Sequence, residues 1–274
     1  MTDAPEDGTD QALLAQLTLD EKVDLVTGAS AWRTRPVPRL GIPDLKVSDG
    51  PNGVRGDGGP GARATAFPAG VCMAATFDPD LVGRVGRAIA VEARYRHVQV
   101  VLGPTINLQR TPVGGRNFEC YSEDPRLSGV LGAAFVRGVQ GEGVGACPKH
   151  YVCNDAEFER HTVDVRVSAA VLREVYLAPF EHVVRTARPW SLMAAYNRIG
   201  GVHACAHGEL LDQVLREGFG FDGVVVSDWY AADDTVADAL GGLDLEMPGP
   251  GRVWGARLRD AVLAHEVEQP RAEG

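Results

Sequence analysis

The stretch "GFGFDGVVVSDWY", residues 218–230, contains a predicted buried strand that ends directly at a polar group. Its three consecutive valines, residues 224–226, are typical of a strand buried on both faces, as in a parallel sheet. Ser227, Asp228 and Trp229 follow at once, so a carboxylate and a large aromatic ring stand where the strand ends. Active groups of barrel folds lie at this end of the strands, and the stretch therefore predicts a site there.

The rest of the chain repeats this alternation of apolar strands and helices, at the spacing of roughly thirty residues that βα units show. Strands are predicted within residues 45–47, 70–77, 97–107, 143–151, 190–197, 224–226 and 243–247. Helices are predicted within residues 18–26, 78–96, 124–140, 168–187, 208–220, 233–241 and 254–265. Seven or eight such units favour an α/β fold of the (β/α)8 TIM-like barrel type. No Gly-x-Gly-x-x-Gly turn follows a predicted strand, which weighs against a dinucleotide-binding sheet.

Three helix starts carry local signals that do not depend on the rest of the fold. Thr18 and Glu21 are spaced as a capping box, in which the Glu21 carboxylate reaches back to the Thr18 amide. Asp78-Pro79 and Asp124-Pro125 each combine an N-cap carboxylate with a proline at the first helical position. The long helix within residues 168–187 is expected to bend at Pro179.

Composition excludes several classes of function. The net charge is −10 with no basic cluster, so neither nucleic acid nor an anionic membrane is an expected partner. No stretch approaches the ~18 apolar residues of a membrane span, and the first residues lack the pattern of a signal peptide. Five cysteines without Cys-x-x-Cys spacing argue against a disulfide framework and a zinc site. We therefore expect a cytoplasmic protein with no metal or cofactor.

Length and hydrophobic content, 274 residues and 45%, suffice for one large core. We predict a disordered leader over residues 1–11, a barrel domain over 12–265 and a disordered tail over 266–274.

Polar side chains recur at the predicted carboxyl ends of the strands, which is why one pocket is expected. They are Asp49, Arg116, Glu119, Lys149, His150, Tyr196, Asn197 and Asp228, and the apolar Met193 lies at the same end of its strand. Adjacent Lys149 and His150 are costly after an apolar strand unless they meet a ligand or a carboxylate. Such cations can donate hydrogen bonds to vicinal hydroxyls, and carboxylates can accept from them. An aromatic face such as Trp229 suits a sugar ring, and Asp228 could attack an anomeric carbon. The set is therefore suited to carbohydrate chemistry.

A structural role is open for several of these side chains. Asp49 precedes a glycine and could only form a turn, and Arg116 could only pair with Glu119 or Asp124. Tyr196 could be a core aromatic residue with a satisfied hydroxyl. Asp228 could cap a helix that begins after Trp229.

Six blocks in order resemble the N-terminal barrel of a glycoside hydrolase family 3 β-glucosidase, and the likeness spans residues 12 to 250. The blocks are "VSDGPNGVR", "GGRNFECYSEDP", "PKHYVCNDAEFERH", "LREVYLAPFEHVV", "MAAYNRIGG" and "GFDGVVVSDW". The resemblance implies that Asp228 is the nucleophile of a retaining β-glycosidase acting on a β-glucoside or another β-glycoside. It implies that Asp49, Arg116, Lys149 and His150 bind the glycone hydroxyls. It also implies that Met193, Tyr196 and Trp229 shape the pocket.

The general acid of the reaction is missing from this pattern. A retaining glycosidase needs a second carboxyl group about 5 Å from the nucleophile. The resemblance places that Glu on a following α/β sandwich domain, which implies a chain truncated before it. The β-N-acetylglucosaminidase branch instead has a Lys-His-Phe-Pro-Gly-His-Gly loop, which "KHYVCNDAEF" lacks. Four candidates within the chain, for which structural roles are preferred, are Glu119, Glu123, Glu157 and His161.

Two hypotheses follow for the chain. It is either the nucleophile half of a β-glucosidase, completed by a sandwich domain in cis or on a separate chain, or a catalytically incompetent barrel fragment that binds sugar. In both cases an uncovered apolar flank would favour self-association.

Overall fold

The computed structural model describes residues 9–56 and 63–268. Residues 1–8 of the expected leader and 269–274 of the expected tail lie outside the described residues. Residues 9–11, also assigned to the leader, begin the first helix, and Val267, assigned to the tail, is buried.

Nine α-helices are present among the described residues. They are α1 (Thr9–Leu14), α2 (Leu19–Leu25), α3 (Gly70–Ala74), α4 (Pro79–Tyr95), α5 (Pro125–Gln140), α6 (Ala169–Val171), α7 (Ala178–Ala187), α8 (Thr235–Leu240) and α9 (Ala256–Leu263). A π-helical turn, Leu172–Tyr176, continues α6, and a second π-helical segment covers Glu209–Gly218. Short 3-10 turns cover Pro38–Leu40 and Ala204–Ala206.

The same residues contain nine short strands. They are β1 (Val47–Asp49), β2 (Val100–Leu102), β3 (Gly145–Ala146), β4 (Lys149–Tyr151), β5 (Asp164–Val165), β6 (Ser191–Ala194), β7 (Arg198–Ile199), β8 (Val202–His203) and β9 (Val224–Ser227). Parallel pairing gives the orders β1-β2-β3 and β4-β6-β9, whereas β5, β7 and β8 form a separate small sheet. Because β3 and β4 belong to one predicted strand, the two parallel sheets are consecutive arcs of one curved wall.

Isolated parallel bridges extend this wall from Thr105 to Lys149, from Val226 to Leu245 and from Thr27 to Glu246. Between Thr27 and β1, the described chain continues through an antiparallel bridge from Arg33 to Lys46. That segment contains three prolines, which have no N–H to donate to a ladder. The described strands thus form a TIM-barrel-like wall without a closed eight-stranded ladder.

The predicted helix starts are confirmed. Thr18 and Glu21 form both bonds of the capping box. The carboxylates of Asp78 and Asp124 accept hydrogen bonds from the third residue of α4 and α5, respectively. The helix over 168–187 changes geometry next to Pro179, through the π-helical turn that precedes α7. None of the helices in the described residues is long and apolar enough to cross a membrane.

One strand prediction is wrong. Residues 70–77 were expected as a strand, but Gly70–Ala74 forms helix α3. A short apolar run fits a buried helix as well as a buried strand, and here alanine favours the helix. A Cβ on Gly70 would lie 2.2 Å from the Glu119 carbonyl oxygen, so this position must be small to let α3 approach the loop that carries Arg116.

The core lies between the curved wall and the layer formed by α4, α5 and α7. Gly138 allows α5 to approach α4 closely, since a Cβ there would lie 2.1 Å from the Gly83 carbonyl oxygen. A second apolar cluster inside the wall contains Val47, Leu102, Cys147, Met193, Val226 and Met247. This inner cluster forms the floor beneath the carboxyl ends of the strands.

Candidate active site

The predicted site residues meet in one cavity of about 210 Å³ at the carboxyl ends of the parallel strands. Eight of the ten residues singled out from the sequence line it: Asp49, Arg116, Lys149, His150, Met193, Tyr196, Asp228 and Trp229. Glu119 and Asn197 do not line it, and Asn197 donates to the Val152 carbonyl instead. Asp49 ends β1, Lys149 and His150 lie in β4, Met193 lies in β6, and Asp228 follows β9. The wall therefore brings together side chains that are far apart in the sequence.

Asp228 presents one free carboxylate oxygen. Its Oδ1 accepts a hydrogen bond from the backbone N–H of Trp229 at 2.7 Å. Its Oδ2 is buried and has no hydrogen-bond partner among the described residues. No helix begins here, because α8 starts at Thr235 and is capped by Asp234. The helix-capping alternative for Asp228 is thus absent, and an unsatisfied oxygen remains beside the cavity.

Burial raises the pKa of Asp228 above the ordinary value for a carboxyl group. The charge of Lys149, the Trp229 N–H and the hydroxyl of Tyr196 act in the opposite direction but offset only part of the effect. A carboxylate that is poorly solvated and more basic than usual is a better nucleophile once it is ionised.

The pKa of Asp49 is shifted in the opposite direction from that of Asp228. Its Oδ1 accepts from Lys149 Nζ at 2.7 Å, and its Oδ2 accepts from Arg55 Nη2 at 2.7 Å. Burial by itself would raise the pKa of Asp49, but the charges of Lys149 and Arg55 outweigh it and lower the pKa. Asp49 is therefore a paired carboxylate that accepts hydrogen bonds, and more than the turn former that its sequence context allowed.

Arg116 and His150 lie side by side at the edge of the cavity. Arg116 Nε donates to Glu119, so the structural ion pair considered from the sequence exists. The same guanidinium places Nη2 3.1 Å from Nε2 of His150 and remains in the cavity wall. His150 Nε2 is 3.4 Å from Oδ2 of Asp228, and burial together with Arg116 keeps the pKa of His150 well below its ordinary value.

Aromatic side chains complete the wall. The ring of Tyr196 packs under the Arg160 guanidinium, whose Cζ lies 4.5 Å from the ring centroid. The ring centroids of Tyr196 and His161 are 4.2 Å apart. Burial and the Asp228 carboxylate raise the pKa of Tyr196. Trp229 packs against Trp32 with centroids 5.4 Å apart. Tyr196 is thus both a buried aromatic residue and part of the cavity wall, as the two interpretations of the sequence proposed.

Sequence reasoning missed three residues that line the cavity, namely Trp32, Leu102 and Arg160. Leu102 ends β2, so the rule that found Asp49 would have reached it had apolar residues been considered. Arg160 lies within the block "PKHYVCNDAEFERH". Trp32 lies in the segment next to β1, and no sequence signal singles it out.

None of the four general-acid candidates lines the cavity. Both carboxylate oxygens of Glu119 are bonded, one to Arg116 and one to the Thr105 hydroxyl. Glu157 pairs with Arg160 at 2.8 Å, and Glu123 is exposed. The ring of His161 packs on Tyr196. These contacts favour structural roles for all four within the described part of the chain.

Comparison with known proteins identifies relatives over nearly the full chain. The family model described as "Glycosyl hydrolase family 3 N terminal domain" matches residues 11–245. A β-glucosidase of Rhizobium radiobacter is 45% identical over 258 residues, which are 93% of this chain and 32% of the relative. A probable β-glucosidase J of Neosartorya fischeri is 46% identical over 262 residues, or 94% of this chain and 30% of the relative. The chain thus spans about a third of the length of these relatives.

Solved structures give the same picture. β-Glucosidase 3B from Thermotoga neapolitana in complex with glucose matches with a TM-score of 0.93 and 40% identity, over 97% of this chain and 41% of that one. The β-glucosidase from Kluyveromyces marxianus in complex with glucose matches with a TM-score of 0.94 and 40% identity, over 97% of this chain and 32% of that one. These likenesses confirm the predicted TIM-barrel-like α/β fold.

Proposed function

Since the chain belongs to glycosyl hydrolase family 3 through its N-terminal domain, we propose that it carries the glycone pocket and the nucleophile of a retaining β-glycosidase. The observation that carries this proposal is Oδ2 of Asp228, which is buried at the edge of the cavity and has no hydrogen-bond partner among the described residues. Both oxygens of Asp49, by contrast, accept from Lys149 and Arg55. The glucose complexes of the related β-glucosidases make a β-glucoside the first substrate to test.

In the first step, Oδ2 of Asp228 forms a bond to the anomeric carbon of the glycone. The bond from that carbon to the aglycone oxygen breaks, and its electron pair leaves with the aglycone. In the second step, water replaces the carboxylate at the same carbon, a base takes the proton of the water, and Asp228 is restored. The raised pKa of Asp228 suits its attack on the anomeric carbon in the first step.

The remaining charged residues are suited to binding hydroxyl groups. Asp49 stays ionised beside Lys149 and Arg55, so it accepts hydrogen bonds and is a poor proton donor. Lys149 and Arg116 supply donors on two sides of the cavity. About 210 Å³ holds one sugar ring, and Trp229 and Met193 supply apolar surface for it. We assign Asp49, Arg116, Lys149 and His150 to the glycone hydroxyls.

The acid that protonates the aglycone is proposed to come from another part of the protein or from another chain. Among the described residues, Asp49 and Asp228 are the carboxyl groups that line the cavity. Asp49 is a paired carboxylate and Asp228 is the proposed nucleophile, so neither is assigned as the acid. This shortage also supports a second candidate function, a barrel that binds sugar but does not turn it over.

The test is the intact mass of the protein after incubation with a 2-deoxy-2-fluoro glucoside bearing a dinitrophenolate leaving group. This group leaves without a proton, so the experiment isolates the nucleophile from the acid. We expect a glycosyl adduct that peptide mapping places on Asp228 and that Asp228→Asn abolishes. A folded protein that binds glucose but forms no adduct would establish the second candidate, and an adduct on another residue would contradict the assignment of Asp228.

A further inference from the structure

Asn107 makes three contacts to His150, although no sequence feature singled it out as a site residue. Its side-chain Oδ1 accepts from the backbone N–H of His150 at 2.7 Å, and its Nδ2 donates to the backbone carbonyl of His150 at 2.9 Å. The same Oδ1 lies 3.0 Å from the ring Nδ1 of His150. Both residues are buried.

These contacts determine where the ring proton of His150 lies. A backbone N–H can only donate and a backbone carbonyl can only accept, so the orientation of the Asn107 amide is unambiguous. Oδ1 can therefore only accept from Nδ1 of the ring. On the other side of the ring, Nε2 faces Arg116 Nη2 at 3.1 Å, and a guanidinium can only donate. Both partners require a proton on Nδ1 and a lone pair on Nε2.

The charges around His150 favour the same neutral form. The ring is buried, and Arg116, Lys149 and Arg160 act on it as cations, which together with burial oppose a second proton. The opposing charge is Asp228, whose Oδ2 is 3.4 Å from Nε2. Three cations and burial thus act against one carboxylate.

We propose that Asn107 is a positioning residue that holds His150 as the neutral Nδ1–H tautomer, so that Nε2 faces the nucleophile as a hydrogen-bond acceptor. His150 then has no proton on Nε2 to give to a departing aglycone, despite its position next to Asp228. Nε2 and Oδ2 of Asp228 are two acceptors only 3.4 Å apart. A substrate hydroxyl that donates its proton to Nε2 satisfies the ring nitrogen and leaves Oδ2 unprotonated, and this step, which rests on the proposed function, assigns His150 to a donating glycone hydroxyl.

The test is ¹⁵N NMR of protein labelled at histidine, in which a protonated and an unprotonated ring nitrogen resonate far apart. The chain has seven histidines, and His150→Gln assigns the signals of His150. We expect a protonated Nδ1 and an unprotonated Nε2 that persist from about pH 8 to below the ordinary histidine pKa of about 6.5. An Nε2–H tautomer or a doubly protonated ring at pH 7 overturns the proposal.

Two variants test the role of Asn107. Asn107→Ala removes the acceptor, and we expect it to lose the Nδ1–H preference. Asn107→Asp keeps the acceptor but adds a negative charge, so the ring is expected to gain a second proton at higher pH and to pair with Asp228. Adduct formation at Asp228 is then expected to slow on the order of 10- to 100-fold, the effect of a misplaced catalytic group. Asn52→Asp is the matched control, because the side chain of Asn52 donates to the Pro68 carbonyl. This variant is expected to leave the His150 signals unchanged.

The spectrum separates this inference from the proposed function. If wild-type protein shows the Nδ1–H tautomer but forms no adduct, the positioning role stands and the proposed function fails. If folded Asn107→Ala keeps both the wild-type ring signals and the wild-type adduct rate, Asn107 has no positioning role.

Discussion

Nζ of Lys149 lies 2.7 Å from Oδ1 of Asp49, although the two residues are 100 positions apart in the chain. The ammonium group is almost fully buried, and the pair joins β4 to β1 across the floor of the cavity. Arg55 holds the second oxygen of Asp49. The ion pair therefore links fold stability to the shape of the site, because removal of Asp49 leaves the buried ammonium group of Lys149 without this carboxylate.

We expect Lys149→Met to lower the free energy of unfolding by about 3 kcal/mol, the low end for a broken buried pair, because Asp49 keeps Arg55. In a double-mutant cycle with Asp49→Asn, denaturant unfolding should give a coupling energy above about 1 kcal/mol. The control is Arg188 with Asp222, an exposed pair expected to couple by less than about 1 kcal/mol. Additive effects at Lys149 and Asp49 would contradict this prediction.

The two carboxylates of the site are expected to affect stability in opposite directions. The pKa of Asp49 is lowered, so its contribution is present above the unfolded-state pKa and is lost as the pH falls through the folded value. The pKa of Asp228 is raised, so the ionised group costs stability at neutral pH. At pH 7 we expect Asp49→Asn to lower the melting temperature and Asp228→Asn to raise it. For Asp228→Asn, the free energy of unfolding should increase by roughly 0.5–2 kcal/mol. Calorimetry of both variants at pH 7 gives the direction of each change in melting temperature. Changes in the same direction would contradict the opposite pKa shifts given to Asp49 and Asp228.

The rate of adduct formation is expected to fall toward low pH with a midpoint above the ordinary Asp pKa of about 3.9. Asp228 must be ionised to attack, and burial raises its pKa. Because the Lys149 charge lowers that pKa, Lys149→Met should move the midpoint to still higher pH. Stopped adduct reactions followed by intact mass across pH give the midpoint. Lys46→Met, a lysine whose Nζ bonds to the Arg96 carbonyl, should leave it unchanged.

Tyr196→Phe is expected to slow adduct formation about tenfold, equivalent to roughly 1.4 kcal/mol, and to move the low-pH midpoint upward. The Tyr196 hydroxyl lowers the pKa of Asp228, and its removal leaves the ring in place under Arg160. Tyr151→Phe is the matched control, since the buried Tyr151 hydroxyl donates to the Leu210 carbonyl. That variant should lose about 1 kcal/mol of stability and keep the wild-type midpoint. A shift of the midpoint in Tyr151→Phe alone would contradict the role given to Tyr196.

An apolar patch, formed by Leu45, Trp190 and Val224, is expected to drive self-association. Each of these side chains is between 44% and 50% exposed, and all three border a second cavity of about 210 Å³ lined mainly by apolar residues. Contiguous exposed apolar surface of this kind favours association. Sedimentation velocity should show oligomers that Val224→Glu reduces, whereas Val113→Glu, at an exposed position outside the patch, should not. A wild-type protein that stays monomeric at high concentration would refute this expectation.

Much of the fold and the site could be predicted from the sequence because their signals are local. The N-caps at Thr18, Asp78 and Asp124 act within one helical turn, so their residue types alone fix where the helices begin. The triple valine marks a buried strand, and the rule that parallel strands share one carboxyl edge then placed Asp49, Lys149 and Asp228 in one pocket. The segment at 70–77 failed because a short apolar run has no period that separates helix from strand.

Pairing and protonation were decided by the tertiary structure alone. Nothing near Asn107 in the sequence indicates His150, and nothing near Arg160 indicates the ring of Tyr196. Likewise, Asp49 and Asp228 are the same residue type after similar strands, yet their pKa values are shifted in opposite directions. The physical reason is that a carboxyl group responds to burial and to charges within a few ångströms, and only the folded wall brings those neighbours together. Residue types at the strand ends were therefore enough to predict most of the side chains that line the cavity, and the packing of distant segments decided which carboxylate oxygen has no hydrogen-bond partner.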